Sequence, residues 1–139
     1  MTGMDLAAAV EFARHHHRSV LATRKADGSP QLSPVVHGVD VEGRLLVSTR
    51  DPAMKVRNIR RDPRVSMCVL SDGFFGEWAQ LEGACEVVEL PEAMPWLEDV
   101  YRQVAGEHGD WDDFRSAMVR ERRVVLRVTP TAAGPTRQG

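Results

Sequence analysis

The sequence predicts a mainly β fold, a small antiparallel barrel with helical additions. Three observations support this prediction. Six segments show strand patterning between turn signals, one helical segment follows the third strand, and two more helical segments precede the last strand. The chain has 139 residues and neither an internal repeat nor a linker, so we expect a single domain over residues 1–139.

The first part of the chain is predicted to form one helix and three strands. Leu6, Val10 and Ala13 recur at helical spacing within a predicted helix from Asp5 to His17. The three strands are predicted at Ser19–Lys25, Pro30–Asp40 and Arg44–Thr49, joined by turns at Asp27-Gly28 and Glu42-Gly43. Pro34 cannot donate a ladder hydrogen bond, which indicates a bulge or an edge there.

A basic helix follows the third strand and is the most informative segment. Asp51 is a good N-cap and Pro52 suits the first helical position, so the helix should begin at about Pro52. Free backbone N–H groups at that end, with Arg50 and Lys55 nearby, would form an anion site suited to phosphate. The alternative is an ordinary solvated helix face, and this segment alone favours neither reading.

The second part supplies three more strands and two helices. Strands are predicted at Arg64–Leu70, Trp78–Val88 and Arg123–Thr129, and helices from Pro91 to about Gly106 and from about Trp111 to Arg120. Gly83, in the middle of a strand, indicates a bend or a close approach of another backbone. The apolar helix stripes should cover the open barrel end or meet a second subunit. Residues 130–139 are predicted to be a loose tail.

Composition excludes several classes of function. The net charge of −2 argues against nucleic acid as a partner, because such binders usually carry a broad basic surface. No apolar run approaches the roughly 20 residues of a membrane span, so we expect a cytoplasmic protein that does not bind membranes. Cys68 and Cys85 fall in predicted strands and indicate buried thiols.

The sequence contains no recognisable catalytic motif. The chain lacks a nucleophile elbow, a Walker loop and paired metal-ligand motifs, and neighbouring histidines at 15–17 cannot converge on one metal from a helix. His37, on a half-buried strand, is interpreted as a structural or ligand-edge hydrogen bonder. The catalytic residues therefore stay unknown, and chemistry would come from a bound cofactor. Because a small barrel has a filled interior, the ligand site should lie outside it or between subunits.

Several separate motifs resemble one known family. Ser19–Val35, Asp51–Pro63 and Trp78–Gly83 together resemble the pyridoxamine 5'-phosphate oxidase-like split-barrel superfamily, and specifically its actinobacterial flavin/deazaflavin oxidoreductases of the B group. Ala105–Val119 followed by Arg122–Leu126 is similar to a subgroup that binds coenzyme F420. The resemblance implies a six-stranded antiparallel split β-barrel, also called the FMN-binding split barrel.

The resemblance also implies a homodimer with two cofactor sites at the subunit interface. Ser48, Thr49, Lys55 and Arg57 would hold the cofactor phosphate, with Asn58 near the ring and tail. The ring-contacting positions would be Leu21, Ala22, Thr23, Gln31, Ser33 and Val35. Trp78 and Gln80 match the strand that reaches over from the partner subunit.

The function implied is hydride transfer from reduced coenzyme F420 to an electron-poor C=C or C=N bond of a small molecule. Ala53 and Met54 stand where relatives often place a phosphate-binding Ser or Arg, which argues against tight FMN binding. Under the F420 reading, Arg57, Arg60 and Arg61 could meet the anionic polyglutamyl tail. An FMN-dependent oxidoreductase and a non-catalytic F420 carrier are the alternatives.

Overall fold

A computed structural model describes residues 5–134. Its elements are α1 (Leu6–His15), β1 (Arg18–Arg24), β2 (Pro30–Val39), β3 (Leu45–Arg50), α2 (Met54–Arg61), β4 (Arg64–Leu70), β5 (Trp78–Val88), α3 (Met94–Ala105), α4 (Trp111–Arg120) and β6 (Arg123–Ala133). The predicted order of helices and strands is confirmed, and β4, β5 and α4 have the predicted bounds.

The six strands form a closed antiparallel barrel in the order β1-β2-β3-β6-β5-β4. Hairpins join β1 to β2 and β2 to β3, and β4 returns to pair with β1 and close the barrel. Alternating inward side chains fill the interior, among them Leu21, Val47, Met67 and Leu126, all at most 1% exposed. The barrel therefore has no room for a ligand inside, as predicted.

The glycine in the middle of β5, Gly83, allows the backbone of β6 to approach closely. The pairing of β5 with β6 shifts register between Glu82 and Gly83. A Cβ atom built on Gly83 would lie 2.1 Å from the carbonyl oxygen of Thr129, closer than any real contact. The close backbone approach at Gly83 is confirmed, and the register shift is a bulge whose extra residue, Thr131, lies in β6.

The last strand is longer than predicted. We expected it to end at Thr129 and residues 130–139 to form a loose tail, and this prediction is wrong for 130–133. Pro130 pairs with Gly83, Ala133 pairs with Leu81 beyond the bulge, and the Gly134 N–H donates to the Gln80 carbonyl at 2.8 Å. Ladder hydrogen bonds hold the segment despite its tail-like composition. Residues 135–139 lie outside the described part.

Two helices pack on the outside of the barrel and form a second small core. Leu97 and Val100 of α3 and Phe114 of α4 are buried against Leu46 and Val125 on the outward face of β3 and β6. Gln103 fixes α3 to the barrel, because its amide donates to the Val39 carbonyl and accepts from the Val39 N–H, both at 2.8 Å. No helix within residues 5–134 is long and apolar enough to cross a membrane.

Candidate cofactor site

The barrel is split along one side of β2. Strands β2 and β3 pair only over His37–Val39, whereas β1 pairs along β2 from Pro30 to Val36. The stretch 30–36 thus has an open edge, and Pro34 lies in it, which confirms the predicted edge position. This open edge, the end of β3 and helices α3 and α4 line a cavity of about 520 Å³, which we call the edge groove.

One end of the edge groove is polar and cationic. It is lined by Ser48 and Thr49 from β3, Lys55 from α2 and Arg123 from the start of β6. Ser48 and Thr49 lie near the end of β3, which ends at Arg50, and α2 begins four residues later at Met54, so strand end and helix start are close together. Three of the four predicted phosphate-binding residues therefore meet in one place, while Arg57 is exposed on α2 and does not line the groove.

Lys55 is the key charge of this polar end. Its side chain is half-buried and forms no ion pair with any carboxylate among residues 5–134. Burial lowers the pKa of Lys55, and the neighbouring Arg123 guanidinium lowers it further. Arg123 itself donates to Glu121 at 2.8 Å. A partly desolvated ammonium without a carboxylate, placed beside a second cation, favours binding of an anion.

The remainder of the groove is apolar. Val35 and Val36 of β2 line it together with side chains of the two late helices; the helix residues are Leu97, Val100, Tyr101, Val104, Ala105, Phe114 and Met118. Tyr101 packs edge-on against Phe114 with 5.3 Å between ring centroids, and the His108 ring contacts Tyr101 in a tilted arrangement with 4.9 Å between centroids. These aromatic contacts hold Tyr101 in place as a groove wall. The groove thus suits a ligand with an apolar body and an anionic group.

Helix α2 begins later than predicted. We expected Asp51 to cap it and Pro52 to be its first residue, but the helix starts at Met54, and the cap residue Ala53 makes no side-chain hydrogen bond. The Asp51 N–H donates to the Arg122 carbonyl at 2.9 Å, and its carboxylate accepts from Arg60 at 2.8 Å. Because the Asp51 carboxylate binds Arg60 and its backbone pairs with Arg122, Asp51 does not cap α2. Lys55 consequently lies in the first turn of the helix.

A second group of predicted residues forms a hydrogen-bonded network instead of lining the groove. The Asn58 side chain, 1% exposed, donates to Thr23 Oγ1 at 3.1 Å and to Gln31 Oε1 at 3.0 Å, and Gln31 approaches Ser33 at 3.5 Å. Arg61 donates to Asn58 Oδ1 at 3.1 Å. The network fastens α2 to β1 and β2, and so fixes Lys55 one turn earlier. Contact of these residues with a cofactor stays a prediction.

The other predicted residues lie apart from the edge groove. Leu21 is fully buried in the barrel core, so only its backbone could meet a ligand. Ala22 points outward into a separate depression next to Arg64 and Glu82. Trp78 and Gln80 are half-buried on the outer face of β5, opposite Leu70 and Cys68. Their predicted role across a subunit interface therefore depends on a second subunit.

His37 is structural. It is completely buried, and its Nε2–H donates to the Ala13 carbonyl at 3.0 Å, because a carbonyl can only accept. Its Nδ1 then accepts from the Ser19 hydroxyl at 2.9 Å. Burial lowers the pKa of His37 to about 4. Both ring nitrogens are used to tie α1 to the barrel, which confirms the structural reading and leaves no atom to face a ligand.

Some groove residues were missed from the sequence. Arg123 had been read only as the start of the closing strand, and the apolar stripe of Leu97, Tyr101 and Val104 only as a packing face. The one sequence feature that marks Arg123 is a cationic side chain at the start of a predicted strand, two positions after the acid Glu121. Its meaning depends on β6 lying beside β3, which local sequence patterns do not reveal.

Comparisons with known proteins agree with this architecture. Residues 6–136 match the family described as Pyridoxamine 5'-phosphate oxidase. A conserved hypothetical protein of Mycobacterium tuberculosis, Rv2991, has a similar fold at TM-score 0.76 and 28% identity, over 94% of this chain and 82% of that one.

Two further solved structures share the fold at lower identity. One described as an F420 reductase matches at TM-score 0.70 and 24% identity, over 89% of this chain and 94% of that one. A heme binding protein from Mycobacterium smegmatis matches at TM-score 0.68 and 22% identity, over 90% of this chain and 52% of that one. With the split barrel, the edge groove and the match over residues 6–136, the chain belongs to the pyridoxamine 5'-phosphate oxidase family.

Proposed function

We propose that this protein is a coenzyme F420-dependent reductase acting on an electron-poor C=C or C=N bond of a small molecule. The observation that carries the proposal is Lys55, a half-buried ammonium beside Arg123 that has no carboxylate partner within residues 5–134. Such a site gains stability when an anion binds, and the phosphate of a cofactor supplies that anion.

The residues present fit a phosphorylated, ring-bearing cofactor. Lys55 and Arg123 would neutralise the phosphate, and the Ser48 and Thr49 hydroxyls would donate to its oxygens. When bound, reduced F420 supplies a hydride to the substrate. The protein would orient the ring along the open edge of β2, and the apolar walls of the groove would keep water away from it. Because His37 is enclosed, solvent would provide the accompanying proton.

The residues at the start of α2 favour F420 over FMN as the cofactor. Ala53 and Met54 precede Lys55, so no side-chain hydroxyl or guanidinium from these positions reaches a phosphate. A phosphate monoester such as FMN carries more charge and benefits most from extra donors, whereas the F420 phosphate is a diester. The F420 reductase with the same fold supports this choice. FMN binding is the alternative outcome of the titration below.

We also propose that the protein works as a homodimer. Outward side chains of β1, β2, β4 and β5 form a mostly apolar surface, interrupted by Ser66 and Gln80, which we call the outer face; its apolar members are Val20, Ala22, Leu32, Pro34, Cys68, Leu70 and Trp78. Leu32 is 66% exposed on it. A mostly apolar sheet surface of this kind favours association, and a partner seated there would bring Trp78 and Gln80 toward a second site.

The decisive experiment compares the two lysines of the chain. Lys55→Ala should weaken F420 binding by about 1 to 3 kcal/mol, the range for losing a charge-assisted hydrogen bond. Lys25→Ala removes the same charge from the exposed β1–β2 turn and should bind F420 as the wild type does. Affinities would be measured by tryptophan fluorescence during titration with F420 and, separately, FMN. Unchanged F420 affinity in Lys55→Ala would refute the assignment, and tighter FMN binding would favour the alternative cofactor.

A further inference from the structure

The loop between β4 and β5 carries two exposed phenylalanines, Phe74 and Phe75, which we call the aromatic tip. They are 62% and 75% exposed, and their rings pack edge-on against each other with 4.9 Å between centroids. Neither ring belongs to the barrel core or to the second core under α3 and α4. The tip therefore contributes little to the packing of its own chain.

The conformation of this loop is energetically costly. Phe74 has a φ of 62°, in the left-handed region that bulky side chains rarely adopt. The Ser71 hydroxyl oxygen is buried without a hydrogen-bond partner among residues 5–134, which also costs free energy. The turn is held by the N–H groups of Phe74 and Phe75, which donate to the carbonyls of Ser71 and Gly73 at 3.1 and 2.7 Å. Such strain is typical of a segment whose surface has a use.

The ordinary explanation of exposed apolar side chains does not cover the tip. Single apolar residues are common on protein surfaces, and Val41 at the β2–β3 turn is one of them. The tip consists of two adjacent rings, and it lies directly between Leu70, the last residue of β4, and Trp78, the first residue of β5. Because Leu70 and Trp78 pair on the outer face, the tip extends that apolar surface at its end.

The tip and the edge groove lie at opposite ends of one row of residues across the outer face. Cross-strand pairing joins Trp78 to Leu70, Leu70 to Arg18, and Arg18 to Val36, which lines the groove. Three strand spacings separate the two ends, which is roughly 14 Å. Neither phenylalanine lines the edge groove of its own chain. A contact between tip and groove therefore requires two subunits.

A twofold dimer exchanges the two ends of this row. In an isologous interface, residue i of one subunit contacts residue j of the other, and residue j contacts residue i in turn. A twofold axis parallel to the strands sets the Trp78 end of one outer face opposite the Val36 end of the partner's. The tip, just beyond Trp78, then reaches the mouth of the partner's groove, where Val36 and Val104 are exposed apolar residues.

We propose that the aromatic tip of each subunit covers the apolar part of the partner's edge groove. The proposal rests on the proposed function of the groove and on the proposed dimer. Contact between the rings and the exposed valines removes apolar surface of both subunits from water. It also shields the ring-binding part of the groove from solvent, while the polar end at Lys55 stays open to the cofactor phosphate.

Cysteine cross-linking tests which surfaces meet. Phe75→Cys and Val104→Cys are combined in one chain, with Cys68→Ser added because Cys68 lies on the outer face. Mild oxidation should give a covalent dimer on a non-reducing gel. The matched control pairs Phe75→Cys with Val41→Cys, at an exposed apolar position away from the groove, and should stay monomeric on the gel. Lack of a covalent dimer, a disulfide within one chain, or equal cross-linking of the control would overturn the proposal.

A second test removes the rings of the tip. Phe74→Ser combined with Phe75→Ser should raise the dissociation constant of the dimer at least about tenfold, measured by light scattering over a dilution series. Val41→Ser, the control, should change it by less than about twofold. An unchanged dissociation constant in the double variant would overturn the proposal.

Two further outcomes separate the tip from other readings. Pelleting of the wild type with anionic phospholipid vesicles, lost in the double serine variant, would show that the tip binds a lipid surface and would overturn the proposal. Failure of Lys55→Ala to weaken F420 binding would instead overturn the proposed function, and the cross-link between tip and groove would still form.

Discussion

At the scale of single residues, His37 links the stability of the barrel to pH. Burial lowers its pKa from 6.5 to about 4, so the folded protein keeps the ring neutral where the unfolded chain would protonate it. The stabilisation is complete above pH 6.5 and is lost as the pH falls through 6.5 toward 4. Its size is on the order of 3 kcal/mol, from the difference between the two pKa values.

The prediction is tested by chemical denaturation between pH 4.5 and 7.5. The wild type should lose stability progressively toward the acid end, because the unfolded chain binds one more proton. His37→Gln will be less stable at neutral pH, since it cannot reproduce both ring hydrogen bonds with Ala13 and Ser19. Its pH dependence should nevertheless be flatter. Equal slopes in the two proteins would show that His37 does not govern the acid response.

Single residues also show how far sequence reasoning reaches at the site. Lys55 was predictable because it stands in the first turn of a basic helix, and local charge patterns are visible in the sequence. Arg123 was not, because it enters the groove only when β6 pairs with β3. The hydrogen bonds of Asn58 to Thr23 and Gln31 were not foreseen, because they form only when α2 packs against β1 and β2, and contact of these residues with a cofactor stays a prediction.

At the scale of the elements, the close approach of β6 to Gly83 of β5 is a sensitive point of the barrel. Gly83→Ala places a methyl group against the Thr129 carbonyl, and both are backbone-constrained. We expect a loss of about 1 to 3 kcal/mol in the free energy of unfolding, as for other overpacked sites. Gly109→Ala is the matched control, because a Cβ there meets nothing within 4 Å. Guanidinium unfolding of both variants measures the difference, and similar stabilities would contradict the close approach.

Element boundaries were predictable where local signals agree with tertiary pairing. Strand β5 has its predicted bounds because its alternation is long and its ends are marked by turns. Strand β6 extends past Thr129 because β5 offers a partner beyond the bulge, and that partner outweighs the tail-like composition of residues 130–133. The start of α2 also depends on tertiary contact, since the Asp51 N–H is bonded to the carbonyl of Arg122 in the turn before β6.

At the scale of the whole molecule, the antiparallel strands and the positions of the helices could be predicted from the sequence. The opening of the barrel between β2 and β3 could not be predicted from hydrophobic periodicity. The resemblance implied the split, and the short pairing of β2 with β3 over His37–Val39 is its physical form. Pro34 was the only local sign of it. The groove then arises from distant parts of the chain, the edge of β2, the end of β3 with the start of α2, the α3–α4 pair and the start of β6, so no contiguous motif could define it.

A substitution on the outer face tests whether cofactor binding requires a dimer. Leu32→Arg places a charge on that apolar surface at its β2 side, and we expect it to convert the proposed dimer, of twice the 15.5 kDa chain mass, into monomers. F420 affinity should fall at least about tenfold with it, because the partner's contribution to each site is lost. Val41→Arg alters an apolar residue that is 96% exposed at the β2–β3 turn and should stay dimeric. Light scattering and F420 titration measure both properties. A monomeric wild type that binds F420 tightly would mean that each edge groove is complete in a single subunit.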